Sequence, residues 1–126
     1  MRKFTIILMI SVVGFVISYG QQKSSKTQIA RGKALYKACV NCHGTTKGVA
    51  AAPLQRIRQV RSMEWIYKMV QNPARFAYEN PKAKAVFEKS RYMKPSYPTF
   101  TKSEIIAILD YLDSLPFDSR NYSHRN

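Results

Sequence analysis

The chain has 126 residues, enough for one domain with a small core, and carries 21 Lys and Arg against 7 Asp and Glu, a formal net charge of +14. Such a charge favours acidic partners or anionic surfaces. It does not point to nucleic acid, because no helix-turn-helix, zinc-finger or RNA-binding signature accompanies it.

Residues 1–20, MRKFTIILMISVVGFVISYG, begin with Arg2 and Lys3, run apolar from Phe4 to Ile17 with few interruptions, and end in small or turn-forming residues. That layout predicts a secretory signal peptide cut before Gln21. An uncleaved membrane anchor is the alternative, since the apolar run is near the shortest stretch able to span a bilayer, about 17 residues. On either reading the folded part lies outside the cytoplasm, in a periplasm or otherwise exported. Cleavage leaves about 106 residues, and losing Arg2 and Lys3 takes the formal charge of +14 to +12. A core that small is helped by any large apolar cofactor.

Residues 21–26, QQKSSK, read as a polar leader, 27–116 as the domain and 117–126 as a polar tail. A first helix is expected from about Thr27, a good cap residue, to about Asn41, with Gly32, Leu35, Tyr36 and Cys39 on one stripe. A loop rich in Gly, Ala and basic residues follows. Ser62 is placed to cap a second helix with Trp65, Ile66, Met69 and Val70 on one face, stopped by Asn72-Pro73. Asn80-Pro81 predicts a cap followed by proline at the first helical position, opening a short helix anchored by Val86 and Phe87. The last helix is the best signposted. Thr101 and Glu104 make a capping box, Phe100 and Ile105 a hydrophobic staple, and Ile105, Ile108, Leu109 and Leu112 keep helical spacing up to Pro116. With no period-two pattern anywhere, the fold class is all-α.

The two cysteines stand together in Cys39-Val40-Asn41-Cys42-His43. A thioredoxin-like dithiol would want a strand before the helix, and none precedes Cys39. Structural zinc needs four ligands, and beyond this cluster only His124 is at hand. Haem attachment by C-x-x-C-H accounts for every residue. On a helical turn, positions i, i+3 and i+4 point the same way, so Cys39 and Cys42 can bond two vinyl groups while His43 meets the iron.

With that motif, and with Gly32 and Tyr36 before it, Ala52-Pro53-Leu54 after it and PTFTKSEIIAILDYL at the end, the chain resembles a small monohaem class I cytochrome c from Gly32 to Leu112. The resemblance implies about four short helices wrapped around one covalent haem c with its iron. It implies that the first and last helices cross near Gly32, bringing Gly32 and Tyr36 to Tyr111. It also implies that the Pro53 carbonyl accepts the Nδ1 proton of His43, although a proline there reads equally as loop punctuation. Family members usually place the sixth iron ligand, a methionine, upstream of the last helix. Met93 in YMKPSYPTF is the candidate, with Lys94 intervening before Pro95, while Met69 reads as packing and Met63, near the start of the second helix, is a weaker rival. Leu54, Ile66, Phe87 and Tyr97 are expected to line the haem, a role that in so small a domain coincides with ordinary core.

With His43 and Met93 on the iron, no position remains for substrate, so electron transfer is expected rather than catalysis. The rivals are an electron-entry subunit of a larger oxidoreductase and an open-site haem enzyme such as a peroxidase. Arg56, Arg58 and Arg61, with Lys82, Lys84, Lys89, Arg91 and Lys94, either form a rim that steers acidic redox partners or are solvated charge. A monomer is expected, touching membranes only by transient docking unless the N-terminal segment is retained.

Overall fold

A computed structural model describes residues 24–89, 95–117 and 119. The signal segment, most of the polar leader, Met93 with Lys94, and His124 lie outside the described residues. Among those described, the chain forms five α-helices and no strand: α1 (Lys26–His43), α2 (Met63–Gln71), α3 (Pro73–Glu79), α4 (Pro81–Lys89) and α5 (Lys102–Ser114), with a 3-10 turn at Ile57–Gln59. None of these helices is long and apolar enough to cross a membrane.

The caps explain the boundaries. The first helix starts earlier than expected, because Ser25 rather than Thr27 is the cap, its hydroxyl accepting from the Gln28 N–H, and it runs on through His43. Ser62 accepts from the Trp65 N–H as predicted. At Asn72-Pro73 one helix stops and another, α3, begins at once: the Asn72 side chain accepts from the Arg75 N–H and Pro73 fills the first position. Asn80 does the same for α4 through the Ala83 N–H. The capping box of α5 forms in both directions, Thr101 accepting from the Glu104 N–H and Glu104 from the Thr101 N–H.

The two ends of the described chain make the frame, because α1 packs along α5. Gly32 is what lets them approach. A Cβ there would sit 2.5 Å from the Ala107 carbonyl carbon and closer still to its oxygen, with the Tyr111 Cβ at 3.0 Å. One turn on, the Tyr36 and Tyr111 rings meet at 5.9 Å. Tyr36, Ile108 and Leu112 form one apolar cluster, with Cys39, Val40 and Leu54 against it. Ile66, Ile105 and Leu109 form a second, and Phe100, the staple residue, touches both. On α4 the inward residue is Ala83, fully buried, whereas Val86 is 42% exposed. α4 lies against α3, where a small side chain permits close packing, so Val86 is not the anchor its apolarity suggests.

Polar ties lock the 3-10 turn to this frame. Arg58 donates to Asp110 at 2.8 Å and to Asp113, and the Gln28 amide reaches Asp110 from α1. Burial pulls the Asp110 carboxyl upward, but hydrogen bonds from Ser24, Gln28 and Arg58 outweigh it and hold the group below its ordinary value. A carboxyl lowered in the folded state contributes stability that is present above its unfolded pKa, about 3.9, and is lost as pH falls through the folded value. Thermal stability should therefore decline below about pH 4. Asp110→Asn should flatten that decline while costing about 1.5–3 kcal/mol at neutral pH. Parallel declines in the two proteins would place the acid sensitivity elsewhere.

Candidate functional site

The last turn of α1 carries the motif: Cys39, Cys42 and His43 are all half-buried. The turn ends at Gly44, whose φ of 60° is the left-handed conformation that favours glycine, and whose N–H returns to the Val40 carbonyl at 2.8 Å. The Tyr36 hydroxyl, buried, donates to the Gly44 carbonyl. Burial, then the neighbouring Cys39 and Tyr111, push Tyr36 well above the usual phenol range, so it serves as a neutral donor. Past Gly44 the chain folds back. The N–H groups of Val49, Ala50 and Ala51 all donate to the Cys42 carbonyl, at 3.2, 2.8 and 2.9 Å. One orphan carbonyl at the end of α1 thereby gathers the whole return loop.

That loop delivers an acceptor to the histidine. His43 Nδ1 lies 2.6 Å from the Ala52 carbonyl oxygen. A carbonyl only accepts, so Nδ1 carries the proton and Nε2 presents a lone pair. The acceptor is thus one residue earlier than the Pro53 carbonyl the resemblance implied. Proline restricts the residue before it toward extended backbone, and Ala52 is the residue before Pro53.

Burial, and next the adjacent Cys42, raise Cys39 to about 11. Reactive redox dithiols depend on a depressed thiol pKa, and no strand leads into this turn, so the thioredoxin-like alternative lacks both of its supports. The Tyr97 hydroxyl donates to the Ala38 carbonyl at 2.9 Å and its ring stacks on Phe100 at 5.3 Å. Burial first, then Cys39 and Cys42, raise its pKa. The fold thus brings Tyr97 and Leu54 to the cysteine turn, Leu54 through the cluster it shares with Cys39. Ile66 sits in the second cluster, and Phe87 is half-buried on α4.

The chain matches the Cytochrome c family over residues 29–116. It belongs to the cytochrome c family. No curated protein and no solved structure matches it. Membership makes the chain a haem-based electron-transfer protein whose cofactor is covalently bound haem c with its iron.

The residues present fit that group. Two thiols and an imidazole protonated on Nδ1 close one helix, which is the donor set a covalent haem asks for. The sole tryptophan supplies a second sign. Trp65 is held edge-on against Phe76 at 5.7 Å, and its indole nitrogen is buried with no acceptor among the described residues. A buried donor left without an acceptor is costly, and an anionic cofactor edge would satisfy it. Helical spacing had shown Trp65 only as core, since spacing reports which face a residue occupies and nothing of what its N–H meets. Ala52 entered the sequence reading only as part of Ala52-Pro53-Leu54 and not as the acceptor, and Gln55, one of several glutamines, carried no signal.

The three arginines also have partners within the fold. Arg58 is tied to Asp110 and Asp113, the Arg56 guanidinium lies 3.6 Å from the Phe117 ring centre, and that of Arg61 lies 5.0 Å from the Trp65 ring centre. All three are committed within the fold, as is Lys84 to Glu88 on the surface of α4.

Proposed function

We propose that the chain is an exported monohaem electron carrier, with haem bonded through Cys39 and Cys42 and the iron held by His43 and Met93. The observation that carries the reading is the His43 hydrogen bond to Ala52 at 2.6 Å. It fixes the tautomer with Nε2 available to metal and raises the basicity of the ring. The bound haem supplies a one-electron iron couple. The polypeptide contributes an oriented imidazole, a buried tyrosine, Tyr36, that ties α1 to the start of the return loop, and apolar side chains that exclude water. Leu54, Ile66, Phe87 and Tyr97 are the proposed lining. Met93 falls between α4 and the Tyr97 anchor, close enough along the chain to reach the same site.

Expression in a host competent for export and haem attachment tests the reading. The mature protein should begin at Gln21 and carry the mass of one haem. An unmodified mature chain would refute the attachment, and a retained N-terminal segment would make the carrier membrane-anchored.

The excess of bases supports an acidic redox partner met by long-range attraction. With Arg58 consumed internally, the steering charges are assigned to Lys82 and Lys89 on α4. Reversing both to Glu should lower the second-order electron-transfer rate several-fold and flatten its decline with added salt, since screening shortens the field to about 8 Å at physiological ionic strength. Arg58→Glu should instead lower stability. A rate indifferent to salt in every variant would leave these lysines as solubilising charge.

A further inference from the structure

We propose that Gln55 is a positioning residue for the axial histidine, holding the Ala52 carbonyl against His43 by clamping the intervening segment to the end of α5. This rests on the reading of His43 as an iron ligand. Gln55 is 2% exposed, an unusual burial for an amide side chain. Its Nε2 lies 3.3 Å from the Leu112 carbonyl, 3.4 Å from that of Leu115 and 3.1 Å from that of Pro116. An amide has two N–H donors, so they are shared among three carbonyls. The Leu112 carbonyl, in the last turn of α5, also accepts from the Leu115 N–H at 3.3 Å, and a residue far away in sequence adds a donor to it and to the carbonyls of Leu115 and Pro116 just beyond. Next to it the Arg56 N–H donates to Asp113 at 3.1 Å.

These bonds close a mechanical ring. His43 ends α1, α1 is locked to α5 at Gly32 and Ala107, the end of α5 holds Gln55, and three residues before Gln55 the Ala52 carbonyl returns to His43. The segment 52–55 is loop, without periodic hydrogen bonds of its own to fix where the Ala52 carbonyl points. Its aim is set at two ends: by the Val49, Ala50 and Ala51 N–H groups that gather the loop on the Cys42 carbonyl, and by Gln55. Releasing the second end lets the carbonyl drift, weakens the Nδ1 hydrogen bond, and makes the imidazole a poorer donor. A poorer donor stabilises ferric iron less, so the reduction potential rises.

The experiment uses the haem-loaded protein. Gln55→Met keeps length and apolar volume but removes the donors. Thr101→Ala, which weakens α5 from its opposite end, serves as the comparison for stability loss alone. Three quantities are read: denaturation midpoint, reduction potential, and the exchange rate of the His43 Nδ1 proton in the ferrous state by NMR. Gln55→Met should raise the potential and speed Nδ1 exchange by about tenfold or more, as expected when an outer partner of a ligand is lost. Thr101→Ala should lower the midpoint and leave the other two unchanged. If Gln55→Met changes stability alone, as Thr101→Ala does, the positioning role is overturned while His43 remains the ligand. If wild-type protein shows no His43 ring resonance displaced by the haem, the axial reading fails and the inference with it. Asp113→Asn, which loosens the adjacent tie at the Arg56 N–H, gives the same readouts should Gln55→Met not accumulate. A potential unchanged in that variant counts against the clamp.

Discussion

Replacing Gly32 by alanine should cost more than about 3 kcal/mol, the upper end of the usual range for overpacking. Alanine is the better helix former by about 1 kcal/mol, so propensity alone would raise stability. The opposite outcome is expected because the added methyl has nowhere to go: its neighbours are the Ala107 carbonyl and the Tyr111 Cβ, both fixed to the backbone of α5. To admit it, α1 and α5 must separate. Separation pulls Tyr36 from Tyr111, Ile108 and Leu112, which together form the cluster that supports Cys39 and Leu54. Chemical denaturation of the haem-loaded protein measures the loss. A midpoint equal to or above that of the parent would mean that the two helices do not approach as closely as described.

Met93→Ala should abolish the weak long-wavelength band of the ferric protein, open the iron to carbon monoxide and lower the reduction potential, because a thioether favours the ferrous state. The Tyr97 hydroxyl is bonded to the Ala38 carbonyl, one residue from Cys39, and the Tyr97 N–H to Val70. In the sequence, Met93 stands four residues before that anchor. Met63 and Met69 are half-buried on α2, and Met63 packs against Ile66, Ile105 and Leu109. Alanine at either should cost about 2–5 kcal/mol as a cavity and spare the band. Loss of the band in Met63→Ala or Met69→Ala, with Met93→Ala unaffected, would move the ligand to α2.

What the sequence disclosed depended on how local the determining interaction is. The capping box of α5, the Ser62 and Asn80 caps and the Ile105-to-Leu112 stripe each involve residues within a turn or two, and all stand as read. The start of α1 slipped because Ser25 and Thr27 are both competent caps two positions apart. Helix α3 was missed because Asn72-Pro73 signals a stop as strongly as a start, and PARFAYE is too short to show a period. Arg58 read as part of a basic run because its partners, Asp110 and Asp113, lie on the far helix and only the fold brings them near. Within the motif, the residue types announced the chemistry. The identity of the acceptor behind His43 rested on how one loop turns back on the Cys42 carbonyl, and spacing is silent on that.

The pairing of α1 with α5 also fixes an order of events. A chain delivered from its N-terminus presents residues 39–43 early, whereas the surface that covers them arrives last, after everything from 44 to 101 has emerged. α1 alone is near the length at which isolated helices are marginal in water, so until α5 docks, the cysteine turn stays loose and open. Attachment machinery thus has an interval in which both sulfurs are accessible, and the arrival of the last thirteen-residue helix ends it. Ile108 and Leu112, the part of α5 in the cluster against which Cys39 packs, lie more than sixty residues further along the chain than the motif.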